Sequence, residues 1–211
     1  MIKIDNKYKT VKDCANAEIV EKRSRFIAYV RPVDTEDGAL EYLNYIKQKH
    51  RDARHNVYAY IIRENNTMRY SDDGEPTGTA GVPVLDVILK EGLTDVCVVV
   101  TRYFGGTLLG AGGLVRAYTK GAKCAVDACG MLSRKYCYGC IINCDYTMLG
   151  KVQSEIMQSG CVPGDVSYTD TVCITCYVPY DIKGFKERII DVTNGKVTVE
   201  IQNEGRFVDV N

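Results

Sequence analysis

Hydrophobic and polar positions alternate unevenly along the chain, and the pattern predicts a series of short elements. AEIVEKRSRFIAYVRPV (17–33) is rich in β-branched and aromatic residues and predicts a strand stopped at Pro32. Asp34 or Thr35 then predicts the cap of a helix whose Ala39, Leu40, Leu43 and Ile46 recur at three-to-four spacing. NVYAYII (56–62) predicts a strand, ENN (64–66) a turn and TMRYS (67–71) a second strand. The polar loop DDGEPTGTAG (72–81) leads into a short helix with Pro83 in its first turn and Gly92 past its end. DVCVVV (95–100) is apolar without alternation, the mark of a strand buried on both faces. A glycine-rich segment, TRYFGGTLLGAGGLVRAY (101–118), runs into a helix that ends near Cys129, with Leu114, Tyr118, Ala122, Ala125 and Cys129 along one stripe.

GMLSRK (130–135) marks a domain boundary, giving domains 1–132 and 133–211. Past it the pattern predicts strand 136–146, helix 147–159, strands 161–168 and 171–179, helix 181–193 and strand 196–203. That βαββαβ order is the signature of a ferredoxin-like unit, so the expected fold class is α+β. Neither half carries an internal repeat or a low-complexity tract.

Composition narrows the reading. The 211 residues are 45% hydrophobic and 26% charged, as in soluble globular proteins. No apolar run approaches the roughly 18 residues of a membrane helix, and the N-terminus lacks the apolar core of a secretory signal; the expectation is a cytoplasmic protein without a membrane partner. The net charge is zero, yet residues 1–135 carry four more basic than acidic side chains and residues 136–211 four fewer. A basic first part and an acidic second part predict different surfaces and different partners. In a cytoplasmic setting the ten cysteines are expected to be free thiols. With only two histidines, His50 and His55, any metal site needing three His ligands is excluded.

Candidate chemistry concentrates in three places. In 101–118, glycines permit close backbone approach and an anion nest near a helix start, and Arg102 and Arg116 add donors suited to phosphate. Neither the phosphate-loop motif nor GxGxxG is present, and a tight crossover onto the sheet is the structural alternative. In SDDGEPTG (71–78), Asp72, Asp73 and Glu75 offer carboxylates for a cation or acid–base work, although a turn uses the same residues for its own geometry. HRDARHN (50–56) places both histidines among cations, with His55 at a strand start. CYGC (137–140) and CITC (173–176) have zinc-knuckle spacing, but both fall within strands, where positions three apart face opposite ways; packing is the favoured reading. No cofactor and no metal are expected.

The run GVPVLDVILKEGLTDVCVVVTRYFGGTLLGAGGLVRAY (81–118), with SRFIA (24–28), DARHNVYAY (52–60) and SDDGEPTGTAG (71–81), closely resembles the YigZ/IMPACT family, over essentially the full chain. The resemblance implies a first domain like the second domain of a small-subunit ribosomal protein. It implies a second that is similar to domain V of elongation factor G. It also implies a role in translation, since the eukaryotic member is a translational regulator. The motif residues carried over are Arg102, Tyr103, Phe104, Gly105, Gly106, Gly110, Gly112, Gly113 and Arg116, with His55, Asp72, Asp73 and Glu75. The resulting expectation is a non-enzymatic protein that binds RNA or the ribosome, with Arg102 and Arg116 on phosphates and Tyr103 or Phe104 stacked on bases. The alternatives are an adaptor for a protein partner in translation control, and an enzyme acting on a phosphorylated or nucleotide substrate. The second of these requires the acidic and glycine-rich loops to share one pocket. Oligomeric state is not legible.

Overall fold

In the computed structural model, residues 6–210 are described. The described residues divide into two units, Lys9–Leu132 and a second that takes residues 133–210 together with residues 6–8. The division after Leu132 falls inside GMLSRK, whereas residues 6–8 join the C-terminal unit and not the first domain as the sequence suggested. They do so through a strand the hydrophobic pattern did not show, β1 (Lys7–Val11).

The first unit is a five-stranded sheet in the order β2-β3-β6-β4-β5. Its strands are β2 (Ala15–Glu21), β3 (Ser24–Pro32), β4 (His55–Ile62), β5 (Thr67–Ser71) and β6 (Val96–Tyr103). The segment read as one strand at 17–33 is a hairpin of β2 and β3. Its turn is Lys22–Arg23, both at positive φ (44° and 69°). That turn geometry normally selects Gly or Asn, so no turn residue announced it.

Three helices clothe the sheet: α1 (Glu36–Lys49), α2 (Gly81–Lys90) and α3 (Ala111–Cys129). Thr35 caps α1 as expected, its hydroxyl accepting from Gly38 N (3.1 Å). Strand alternation sorts β6 between two cores: Val96, Val98 and Val100 join the core under α2 and α3, while Cys97 and Val99 join the one under α1. The apolar run of β6 is thereby explained, as is the neutral state of Cys97, whose thiol burial pushes up to about 12. By the same alternation Arg102 faces the α2/α3 side and Tyr103 the α1 side.

The second unit contains β7 (Met131–Cys144) from Ser133 on, α4 (Leu149–Gln158), β8 (Val162–Tyr168), β9 (Val172–Pro179), α5 (Phe185–Val192) and β10 (Val197–Val210). β7 lies between β10 and β9, and β8 pairs with β9, all antiparallel. In order of occurrence the strands run fourth, first, third, second, the ferredoxin-like arrangement the βαββαβ pattern predicted. β1 adds to this sheet beside β7. Cys140 and Cys176 sit opposite one another on β7 and β9, buried in one apolar core with Cys144 and Cys161. Burial pushes the Cys161 thiol up to about 12.

Candidate functional site

Three strand termini of the first unit meet at one end of its sheet. In register, Arg102 lies opposite His55 at the start of β4, and Tyr103 lies opposite Arg25 at the start of β3. β6 therefore delivers the glycine-rich segment to the place where the histidine-bearing strand begins and the acidic loop returns.

The acidic loop is held there by its own carboxylates. Asp72 accepts from the backbone N–H groups of Gly78 (2.8 Å), Ala80 (3.0 Å) and Gly81 (2.8 Å), closing the loop and capping the start of α2. Asp73 accepts from Asn56 N (2.7 Å) and pairs with Lys47 (3.3 Å), while its carbonyl accepts from His55 Nδ1 (2.9 Å). A carbonyl only accepts, so His55 carries its proton on Nδ1 toward the loop.

Glu75 joins the two motifs. Its buried carboxylate accepts from Arg102 Nη1 (2.7 Å) and from the Tyr118 hydroxyl (2.8 Å), tying the loop to β6 and to α3. Burial first, and the Glu75 charge second, raise the Tyr118 hydroxyl far above the ordinary phenol range. The Arg102 guanidinium lies over the rings of Phe26 (5.5 Å) and Phe104 (5.6 Å). Phe26 in turn meets Tyr118 edge-on at 5.1 Å.

Arg102 was expected to reach phosphate from the surface. Its side chain is only 7% exposed and its charge is balanced by Glu75, so it serves the scaffold. Asp72, Asp73 and Glu75 are likewise committed to internal partners, the turn-forming alternative weighed from sequence. The acidic and glycine-rich loops do come together, but through Glu75 and Arg102 bonded to one another.

Surface is supplied by the rest of the segment. Phe104 is 53% exposed, and Gly106, Leu108, Gly110 and Gly112 are exposed, with Gly105 and Gly113 half-buried. Gly105 packs on the hairpin turn: a Cβ there would lie 2.1 Å from the Arg23 carbonyl carbon and oxygen. Its N–H donates to the Ser24 hydroxyl (3.2 Å). Gly110, at φ 72°, precedes α3 and gives the helix no side-chain cap, and no acidic residue occupies the first turn. Arg116, one turn further, is exposed and takes part in no ion pair among the described residues. An uncapped helix start beside a free guanidinium is suited to an anion.

On the α1 side, sequence reasoning missed a relay. Tyr103 donates its hydroxyl to Asp52 (2.9 Å) and stands 2.8 Å from His50 Nδ1. Having spent its only proton on Asp52, Tyr103 accepts from His50 Nδ1–H, which leaves His50 Nε2 to accept from the Tyr29 hydroxyl (2.7 Å). Burial and the neighbouring Lys49 lower the His50 pKa, in keeping with this neutral ring. The signal available was the alternation of β6 carried on to Tyr103, toward the helix that ends at His50.

Residues 22–126 match the Impact N-terminal domain family, and residues 142–196 match a domain of unknown function, DUF1949. IMPACT family member YvyE of Bacillus subtilis is 43% identical over 92% of this chain and 90% of its own length. The chain belongs to the IMPACT family. YigZ, the Escherichia coli member, is 29% identical over 83% of this chain and 88% of its own length. Protein IMPACT of rat is 36% identical over 44% of this chain and 31% of its own length. A solved structure described as a hypothetical protein superimposes with a TM-score of 0.61 at 27% identity, covering 95% of this chain and all of the other. The family match takes in the Lys22–Arg23 turn with β3, His55, the acidic loop and the glycine-rich segment. No helix among the described residues is long and apolar enough to cross a membrane.

Proposed function

We propose that this IMPACT-family protein is a non-enzymatic RNA- or ribosome-binding protein, which contacts single-stranded RNA through the glycine-rich segment. The observation that carries the reading is the uncapped start of α3 with the unpaired Arg116 one turn inside it. Arg116 and the backbone N–H groups of 111–113 take phosphate, and exposed Phe104 stacks on a base. Arg102 acts beneath them, holding Phe104 over its guanidinium and the acidic loop against the sheet. The family resemblance to a translational regulator supports an RNA partner within the translation machinery. The carboxylates of the acidic loop have their acceptor capacity turned inward, which favours binding over catalysis.

The test is co-sedimentation with purified ribosomal subunits, and titration with a short single-stranded RNA, over a salt series. Phe104→Ala is expected to weaken RNA binding roughly 5- to 100-fold, as loss of one stacked base does. Arg116→Ala is expected to lower the slope of log affinity against log salt by about 0.7, one phosphate contact on a single strand. Arg116 is exposed and unpaired among the described residues, so Arg116→Ala should keep the wild-type Tm, while Phe104→Ala, which uncovers one face of the Arg102 guanidinium, should cost no more than about 1 kcal/mol. Binding that ignores salt and Arg116 but needs Phe104 and Leu108 (83% exposed) would replace RNA by a protein partner. Absence of binding at low salt would overturn the proposal.

A further inference from the structure

The two faces of the first sheet are covered unequally. On one, α3 lies over β2 and β3 while α2 lies over β4. On the other, α1 is the single helix, and it packs over β4 and β6. Five strands at about 4.8 Å spacing span roughly 19 Å, and a helix with its side chains covers about 10 Å. β3 shares the core under α1 through Ile27 and Tyr29, but the β2 edge of that face is left uncovered, with Asn16, Glu18 and Val20 exposed, and a cleft of about 330 Å³ lies there against α1. That volume is at the lower end for small-molecule sites.

The lining is specific in kind. Tyr42, Tyr45 and Lys49 recur along one face of α1, and Tyr29 and Arg31 project from β3 at alternate positions, with Asn16 on β2. The Tyr42 and Tyr45 rings are nearly parallel (14°), and Tyr45 is 59% exposed, so one aromatic face is open to a ligand. Arg31 lies over the Tyr42 ring (5.5 Å) and the Lys49 ammonium over the Tyr29 ring (4.8 Å). Neither cation forms an ion pair among the described residues. Asn16 supplies both a donor and an acceptor at the rim. The Tyr29 ring is set by its hydroxyl bond to His50, so that wall is fixed before any ligand arrives.

We infer that this cleft is a nucleotide-binding site separate from the glycine-rich segment, with the base stacked on Tyr45, its edge read by Asn16, and its phosphate held by Arg31 and Lys49. Cations fixed over aromatic rings, an open ring and an amide in one cleft match an aromatic heterocycle carrying a phosphate better than either component alone. The nucleotide is either free or one residue of an RNA chain, and both present the same chemistry.

Isothermal titration of the full chain with adenosine 5′-monophosphate, inorganic phosphate and a 5′-phosphorylated trinucleotide tests this. Saturable binding of the monophosphate, weakened roughly tenfold by Tyr45→Ala and again by Lys49→Ala, is the expected result. Both side chains are exposed, so these variants keep the fold. Cys14, exposed on the same rim, gives a second readout: bound nucleotide should slow its alkylation. Binding of the trinucleotide alone, with the same sensitivity to Tyr45 and Lys49, assigns the cleft to RNA; binding of the monophosphate by itself assigns it to free nucleotide. The inference is overturned if inorganic phosphate binds as tightly as the nucleotide or if nothing binds at millimolar concentration. It is equally overturned if Arg116→Ala abolishes nucleotide binding while Lys49→Ala preserves it, which would move the ligand to α3 and leave the proposed RNA surface standing.

Discussion

Arg102 and Arg116 bracket the same glycine-rich segment, and the fold sends them to opposite environments. Arg102 ends a strand on its buried face, sandwiched between two phenylalanines and neutralised by Glu75. Its Nε is buried with no partner among the described residues. Arg116 stands in solvent on the second turn of α3 without a counter-charge among the described residues. Two cations fourteen residues apart are thus placed differently: one fastens the acidic loop to the sheet and the other is left exposed at the surface. A motif that looks like one ligand-binding loop in sequence is half scaffold and half surface.

The sharpest way to break this contrast is to remove Glu75. Glu75→Ala strands a guanidinium with almost no exposure and deprives Tyr118 of its acceptor, and a loss of about 3–5 kcal/mol is expected in urea unfolding. Arg116→Ala should change stability by no more than about 0.5 kcal/mol. Replacing Arg102 and Glu75 together by Met and Leu should recover much of the loss, because the cost lies in the uncompensated charge. If Glu75→Ala were as stable as wild type, Arg102 would have an escape to solvent and its assignment to the scaffold would fall.

How this division reads from sequence depends on where β6 is taken to stop. The apolar run ends at Val100, yet the strand continues to Tyr103, and the extra residues decide everything about the site. Carried two positions further, the alternation of Val96, Val98 and Val100 puts Arg102 among the same buried neighbours and Tyr103 over α1. The ferredoxin-like unit was legible because its strands and helices are separated by ordinary turn residues. The β2–β3 hairpin was not, because Lys22 and Arg23 adopt left-handed φ with no glycine to signal it. Strand β1 escaped because KYKTV shows little apolar pattern. That Glu75 would reach Arg102 rests on tertiary register, which no local pattern encodes.

Two glycines of the segment extend the contrast at intermediate size. A Cβ on Gly105 would collide with the backbone at Arg23 and Ser24, which is strand-flanking scaffold with little room to yield. Gly105→Ala should therefore cost about 1–3 kcal/mol, as over-packing does. At Gly112, in the first turn of α3, the nearest atom to a Cβ is the flexible Arg116 guanidinium at 3.6 Å. Gly112→Ala should stabilise by up to about 1 kcal/mol through the lower entropy of the unfolded chain. Opposite signs in thermal unfolding sharpen the boundary between scaffold and surface; equal signs would erase it.

The smallest expected effect concerns the α1 side, where Tyr103 extends the scaffold through His50 to Tyr29. Burial and Lys49 lower the His50 pKa below the value of about 6.5 that it has in an unfolded chain. Between those two values the unfolded chain binds the proton and the folded chain does not, so stability rises with pH in that window. The contribution of His50 is complete above pH ~6.5, falls as the pH drops through the window, and changes no further below the folded pKa. Carboxylates titrate nearby in pH, so the comparison must be made against His50→Gln, in which this component disappears and the others remain. The wild type should lose more stability than the variant between pH 7 and 5, and the His50 ring proton shifts should titrate with a midpoint under 6.5. A midpoint above 6.5 would mean that the imidazolium is favoured in the fold. The Tyr29–His50–Tyr103 bonds would then have to run with Tyr29 as acceptor, and the relay would no longer hold that wall of the cleft by the neutral ring.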